Sequence, residues 1–204
     1  MTSSQNATAP LVLFAHGAGA SSASGWMRTW AARLTSVGDV ETFDYPYMAA
    51  GRKRPDLLPA LIEAHRAALV AVRGESERPV LLAGKSMGSR VGCHLALSER
   101  VAGLVCFGYP PRAAGSGKLR DAVLVELRTP ILFLSGTRDE LCPLDELERV
   151  RARMSAESEL VVVEGGDHSL LVRKTDLARQ GKTQDDVDAS LLQAIEVFAR
   201  RVSG

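Results

Sequence analysis

Five residues in the first half of the chain have the types and the spacing that a nucleophilic serine needs. Gly84-Lys85-Ser86-Met87-Gly88 follows a run of four apolar residues. The pattern G-x-S-x-G after a buried strand is typical of a sharp strand-to-helix turn with the serine at its tip. Such a serine adopts a strained backbone conformation, and both glycines lie where a β-carbon would meet neighbouring backbone. The pattern therefore predicts that Ser86 attacks a carbonyl, although an ordinary turn between strand and helix is the alternative.

A serine hydroxyl is a poor nucleophile unless a base lies within hydrogen-bond reach. His168 follows an apolar run near the end of the chain, and Asp139 follows the run before that. We predict that His168 takes the proton of Ser86 and that Asp139 orients the imidazole and stabilises its charged form. Glu140 and Asp145 are the nearby alternatives to Asp139. They are expected to be an exposed loop residue and a residue in the first turn of a helix.

The other three histidines are expected to have different roles. His65 and His94 fall in helical patterns, where packed or partly exposed positions are the simplest interpretation. His16 opens a turn of small residues after the first apolar run. We expect it to brace this turn through hydrogen bonds rather than to titrate in catalysis.

Apolar runs alternate with helical patterns along the whole chain, and this alternation positions the chemical groups. It predicts an α/β fold: an open, mostly parallel, doubly wound sheet of about six strands with helices on both faces. Ligands bind beyond the carboxyl ends of the strands in such sheets. Ser86, Asp139 and His168 each follow the carboxyl end of a different strand. The predicted strands cover residues 11–15, 40–43, 80–83, 101–107, 131–134 and 160–163.

Two predicted helices carry capping signals at their start. Asp56 is expected to cap a long helix with an apolar stripe from Leu58 to Val72. Thr183 and Asp186 are spaced as a capping box at the start of the last helix.

Composition limits the class of protein. The 204 residues are expected to form a single domain, residues 1–204, with a real core, since 46% of them are hydrophobic. The 25 basic and 24 acidic residues leave a net charge of +1, which argues against nucleic acid or a membrane surface as the main partner. A small-molecule substrate is the expected partner instead.

Location and cofactors are also predicted from composition. No stretch has the length of a transmembrane helix, and residues 1–10 lack the apolar core of a secretory signal. The three cysteines have unrelated spacings, which indicate neither a disulfide framework nor a metal site. A cytoplasmic protein without a metal or another cofactor is therefore predicted.

The motifs together resemble those of the α/β-hydrolase superfamily over nearly the whole chain. The resemblance implies that the backbone N–H groups of Ala18 and Met87 form an oxyanion hole, in which each donor can contribute about 3 kcal/mol. Within the superfamily, the segments 45–48 and 51–55 resemble a small subgroup that includes bacterial proteins and the animal testis-expressed protein 30. The motifs that carry the superfamily resemblance are His16-Gly17-Ala18-Gly19, Gly84-Lys85-Ser86-Met87-Gly88, Gly136-Thr137-Arg138-Asp139 and Asp167-His168.

The sequence leaves two interpretations open for each group of residues that could contact the substrate. Tyr45, Tyr47 and Tyr109 end strands near the expected cleft, where they either line a substrate pocket or close its floor. The run Arg52-Lys53-Arg54 either attracts an anionic substrate or is simply solvated. Residues 112–129 are too few for a substantial lid, whereas the polar stretch 173–182 could fold over the cleft.

We therefore expect a metal-free serine hydrolase that cleaves a small soluble ester or thioester through an acyl-enzyme. One alternative is a related α/β-hydrolase that acts on an amide or a carbon–carbon bond. The other is a non-catalytic scaffold that keeps the fold, although a complete triad argues against it.

Overall fold

Six parallel strands form the centre of the molecule. The computed structural model describes residues 9–112 and 119–204. The strands pair in the order β2-β1-β3-β4-β5-β6, and every neighbouring pair is parallel. The predicted open parallel sheet is confirmed. Its strands are β1 (Leu11–Ala15), β2 (Asp39–Phe43), β3 (Val80–Lys85), β4 (Gly103–Phe107), β5 (Ile131–Gly136) and β6 (Ser158–Val163).

Helices cover both faces of this sheet. Alternate residues of a strand point to opposite faces, so a strand buried on both sides is apolar throughout. In β1, Val12 and Phe14 pack with α1 and α8, whereas Leu11 and Leu13 belong to the core on the side of α3, α4, α5 and α6. The helices are α1 (Gly25–Leu34), α2 (Pro46–Ala49), α3 (Leu58–Arg73), α4 (Met87–Leu95), α5 (Ala122–Glu126), α6 (Leu144–Arg151), α7 (Lys174–Gln180) and α8 (Gln184–Ser203).

The chain reverses its direction of travel across the sheet between β1 and β3. The chain passes from β1 to β2 on one side, and then returns to place β3, β4, β5 and β6 on the other. A crevice for ligands forms at such a switch point. Ala15 pairs in register with Gly84, so the turn after β1 and the turn after β3 lie side by side.

One of the two predicted helix caps is wrong. Helix α3 has Leu57 at its N-cap, with no side-chain cap. Asp56 lies one residue too early and instead pairs with Arg52, at 2.7 Å between Oδ1 and Nη1. The capping box of Thr183 and Asp186 at the start of α8 is confirmed.

The described part of the connection between β4 and β5 contains one short helix. In α5, Val123 and Leu124 are buried against the core on the α6 side of the sheet. Part of the segment for which we predicted no lid, residues 113–118, lies outside the described residues, as do residues 1–8 of the predicted leaderless N-terminus. Within the described ranges, no helix has the length and apolar character that crossing a membrane requires.

The polar stretch after His168 is mostly helical. Helix α7 buries Leu177 in the same core as Val163 and Leu170. The described part of this stretch is thereby anchored to the core beside β6.

Candidate active site

Ser86 has the backbone conformation of a nucleophile at a sharp turn. It lies between β3 and α4 with φ of 50° and ψ of −110°, a conformation that side-chain-bearing residues rarely adopt. A β-carbon on Gly84 would lie 2.3 Å from Ser89 N, and one on Gly88 would lie 2.5 Å from Ala15 O. Glycine is therefore required on both sides of the serine, and this explains the spacing of the motif.

His168 and Asp139 form a hydrogen-bonded pair. Nδ1 of His168 lies 2.9 and 2.8 Å from the two carboxylate oxygens of Asp139. An ionised carboxylate only accepts hydrogen bonds, so Nδ1 carries the proton and Nε2 keeps its lone pair. Oδ1 of Asp139 also accepts from the backbone N–H groups of Leu141 (2.9 Å) and Cys142 (3.1 Å). The acid is thus buried and fixed, whereas the imidazole side chain remains 25% exposed.

The two alternative acids lie elsewhere. Glu140 is exposed to solvent. Asp145 pairs with Arg149 on the surface of α6, at 3.0 Å. Among the described residues, Asp139 is the carboxylate that contacts His168.

Ser86 lies beside the His168–Asp139 pair. The backbone N–H of Ser86 donates to Phe107 O at 2.9 Å, and a β-carbon on the next residue, Gly108, would lie 3.1 Å from His168 Nδ1. Lys85, the residue before Ser86, donates from Nζ to the carbonyl oxygen of His168. No hydrogen bond joins Ser86 Oγ to His168 in the described part of the chain. Catalytic hydrogen bonds are often long before substrate binds and tighten in the complex.

The turn after β1 presents free backbone donors next to Ser86. A β-carbon on Gly17 would lie 3.6 Å from Ser86 Cβ. In the described ranges, the backbone N–H groups of Ala18 and Met87 have no hydrogen-bond partner. These are the two donors that the resemblance implied for an oxyanion hole.

His16 and Tyr47 hold the two peptide groups on either side of Ala18. His16 Nδ1 donates to Gly17 O at 2.6 Å, and the hydroxyl of Tyr47 donates to Ala18 O at 3.1 Å. The peptide bond is planar and trans, so holding the Gly17 carbonyl directs the Ala18 N–H to the opposite side. His16 Nε2 in turn accepts from the backbone N–H of Tyr45 at 3.1 Å. Both ring nitrogens are therefore used by a neutral imidazole.

The electrostatics of His16 fit this bracing arrangement. Burial lowers its pKa, against the smaller opposing effects of the Gly17 carbonyl and of Asp44. The carboxylate of Asp44 lies 3.6 Å from Nε2. A lowered pKa keeps the ring neutral, as its two hydrogen bonds require.

All three candidate substrate-contacting tyrosines are buried. Tyr45 and Tyr109 expose none of their surface. The hydroxyl of Tyr45 lies 3.1 Å from His65 Nδ1, and that of Tyr109 has no partner in the described ranges. Tyr47, whose pKa is raised to about 12 mainly by burial, is held on Ala18. This burial favours the interpretation that the tyrosines close the floor of the site rather than line an open pocket.

The remaining candidates have no hydrogen bond or ion pair with Ser86, Asp139 or His168 in the described ranges. His65 is fully buried in α3, and burial lowers its pKa to about 3. His94 is half-buried in α4. In the basic run, Arg52 is paired with Asp56, while Lys53 and Arg54 are exposed. No group of three His, Cys, Asp or Glu side chains suited to a metal ion occurs among the described residues.

Three residues around His168 carry no signal in the sequence. Lys85 occupies a variable position of the serine motif, and Trp26 reads as part of an apolar helix stripe. Gly108 looks like an ordinary turn glycine in the sequence, yet its φ is 61° and a β-carbon there would lie 3.1 Å from the imidazole Nδ1.

An open parallel sheet with a serine turn after β3, an acid after β5 and a histidine after β6 is the arrangement of an α/β-hydrolase. The family model of the alpha/beta hydrolase domain matches residues 8–200, and the chain belongs to this family.

Solved structures share the fold. The chain is 20% identical to a dienelactone hydrolase from Anabaena variabilis, covering 96% of this chain and 88% of that one, with a TM-score of 0.72. XC6422 from Xanthomonas campestris, an α/β serine hydrolase without a lid, is 19% identical, with 97% and 84% covered and a TM-score of 0.71. An α/β serine hydrolase homologue from Coxiella burnetii is 20% identical, with 94% and 84% covered and a TM-score of 0.70. At these identities the likeness establishes the fold.

Proposed function

We propose that this protein is a serine hydrolase that cleaves a small soluble carboxylic ester or thioester through an acyl-enzyme. The observation that carries the proposal is the contact of His168 Nδ1 with both carboxylate oxygens of buried Asp139, beside Ser86 in its strained turn. This pairing leaves Nε2 as the only imidazole nitrogen able to accept a proton. A base with that geometry activates a serine hydroxyl.

Acylation begins with proton transfer from Ser86 Oγ to His168 Nε2 as the oxygen attacks the substrate carbonyl. The resulting oxyanion is stabilised by the N–H groups of Ala18 and Met87, of which Met87 also lies at the N-terminus of α4, where the helix dipole favours negative charge. Asp139 stabilises the imidazolium without taking its proton. His168 then gives that proton to the leaving alcohol or thiol, and the carbon–oxygen or carbon–sulfur bond breaks.

Deacylation repeats the same steps with water. His168 Nε2 takes a proton from the water that attacks the acyl-enzyme, and the second oxyanion occupies the same two donors. The proton returns to Ser86 Oγ as the acid product leaves. No step requires a group other than the residues described above.

A small substrate is proposed because apolar and aromatic residues near the site are used for packing. The nearby tyrosines are buried, and α5 uses Val123 and Leu124 for its own packing. One structural neighbour is named a dienelactone hydrolase, and a lactone is an ester. Both points support ester cleavage on a compact substrate.

Covalent labelling tests this proposal directly. A fluorophosphonate probe should label the wild-type protein at Ser86 and leave Ser86→Ala unlabelled. Hydrolysis of p-nitrophenyl acetate should fall by about 10³-fold or more in Ser86→Ala, because triad members act as a unit. Ser98→Ala, just beyond the far end of α4, is the matched control and should behave as wild type. Retention of most of the wild-type rate in a folded Ser86→Ala protein would show that the mechanism is wrong.

A further inference from the structure

The lysine beside the nucleophile is buried without a carboxylate partner. Lys85 ends β3 and is only 9% exposed. Lysine is rarely buried unless its charge is paired. Among the described residues, its ammonium group has no ion pair. Nζ donates instead to the carbonyl oxygen of His168 and lies 5.3 Å from the centre of the Trp26 ring. A cation over an indole face is stabilised electrostatically, which helps to explain how this charge is tolerated.

Lys85 and Trp26 hold two successive carbonyl groups of one loop. Lys85 binds that of His168, and the indole Nε1 of Trp26 donates to Ser169 O at 3.0 Å. The same loop contains Leu170 with φ of 62°, a strained value for a residue with a side chain. A loop in a strained conformation persists only where surrounding contacts hold it. The contacts from β3 and α1 meet that need.

We propose that Lys85 is a positioning residue, which ties the backbone of His168 to the strand that carries Ser86 and so holds the base at the nucleophile. The inference rests on the proposed function, since it assigns Lys85 a task in the Ser86–His168 reaction. The connection is direct, because Lys85 precedes Ser86 in the chain and its own side chain binds the main chain of His168. Gly108 leaves room for the imidazole, because a β-carbon there would lie 3.1 Å from its Nδ1.

The charge on Lys85 makes this tie dependent on pH. Burial lowers the pKa of Lys85 to about 8, against smaller opposing effects of Asp139, Asp167 and Cys142. Asp139 and Asp167 follow β5 and β6, and both favour the charged form of the ammonium group. Burial raises the pKa of the Cys142 thiol to about 12, so that group stays neutral over the range in which Lys85 titrates.

The sign of the effect follows from the protonation state. Below about pH 8 the ammonium donates a charge-assisted hydrogen bond, which is about twice as strong as a neutral one. Above that pH the amine is neutral and its hold on the carbonyl weakens. Activity should therefore decline at alkaline pH in the wild type, over the range in which Lys85 loses its proton.

Three variants test the proposal through kcat/KM on p-nitrophenyl acetate as a function of pH. Lys85→Met fills a similar volume without charge, and it should lower kcat about 10- to 100-fold with little change in KM. Its profile should lack the decline near pH 8. Lys85→Arg keeps a cation at all these pH values, so it should recover much of the lost kcat and move the decline to higher pH. Lys182→Met, on the exposed turn before α8, is the matched control and should match the wild type.

The outcomes separate this proposal from the proposed function. If the wild type is labelled by the fluorophosphonate probe and is active, but folded Lys85→Met shows the same kcat and the same alkaline decline, then Lys85 does not position the base. A lower kcat in Lys85→Met with an unchanged alkaline decline would also overturn it, because space filling alone explains that result. If the wild type neither reacts with the probe nor hydrolyses esters, it is the proposed function that fails.

Discussion

Acid should destabilise this protein through one buried imidazole. His65 lies on α3 with no exposed surface, its Nδ1 is 3.1 Å from the hydroxyl of Tyr45, and its Nε2 has no partner in the described ranges. The ring of Phe43 packs against it, at 5.1 Å between ring centres. Burial is the cause of its lowered pKa of about 3. The folded protein therefore keeps His65 neutral at pH values where the unfolded chain protonates it.

The magnitude follows from linkage between proton binding and folding. The unfolded histidine has a pKa of about 6.5, so below that pH the unfolded state binds one more proton than the folded state. Each pH unit below 6.5 then removes about 1.4 kcal/mol from the free energy of unfolding, until the folded pKa is reached. Between about pH 7.5 and about pH 5 the loss through His65 is about 2 kcal/mol. This stability is fully present above pH 6.5 and is lost as the pH falls.

Urea unfolding at the two pH values measures the effect. His65→Gln removes the titrating group and keeps a polar side chain that can contact Tyr45. The variant is expected to be less stable than the wild type at both pH values. Its loss of unfolding free energy between them should be smaller than the wild-type loss by about 2 kcal/mol. Equal losses in the two proteins, with equal denaturant slopes, would show that His65 is not kept neutral by the fold.

Three further results are expected. Asp139→Asn should lower kcat by about 10³- to 10⁴-fold on a p-nitrophenyl ester while the protein stays folded, because the imidazole loses the acceptor that orients it. Glu140→Gln is the control, and its kcat should be nearly that of the wild type. Gly88→Ala should lower the free energy of unfolding by about 1–3 kcal/mol in urea and should impair hydrolysis, because the new β-carbon would lie 2.5 Å from Ala15 O, just before the turn that contains Ala18. Across a series of straight-chain esters, kcat/KM should level off or fall beyond short acyl chains, whereas a deep apolar pocket would gain about 0.8 kcal/mol per CH₂.

Each of these expectations has a result that contradicts it. If Asp139→Asn were fully active and Glu140→Gln were impaired, Asp139 would not be the acid that orients His168. An unchanged urea unfolding curve for Gly88→Ala would mean that the end of β1 shifts to accommodate the new β-carbon at no cost. A steady rise of kcat/KM to long acyl chains, or a jump in rate above the critical micelle concentration, would contradict an open, compact site.

The sequence by itself predicts the parallel sheet, and it predicts which strand each of Ser86, Asp139 and His168 follows. Strands of a parallel sheet are buried on both faces, so β1, β3 and β5 read as uninterrupted apolar runs. The serine turn was readable because two close approaches of backbone exclude any side chain at Gly84 and Gly88. The requirement at Gly84 is local, because it comes from Ser89, whereas the requirement at Gly88 comes from Ala15 on the neighbouring strand β1. Both appear in the sequence as a glycine at a fixed distance from Ser86.

Only the tertiary structure decided which side chains meet. Asp56 has the right type for a helix cap, yet the N-cap of α3 is Leu57, one residue later, and Asp56 pairs with Arg52. Tyr109 is an amphipathic residue beside the cleft in sequence, but it is fully buried against Phe133 in the fold. Lys85 stands at a variable position of the serine motif in the sequence, and only the fold brings the His168 carbonyl, 83 residues away, into contact with it. Such contacts depend on the packing of distant segments, and composition and periodicity carry no record of that packing.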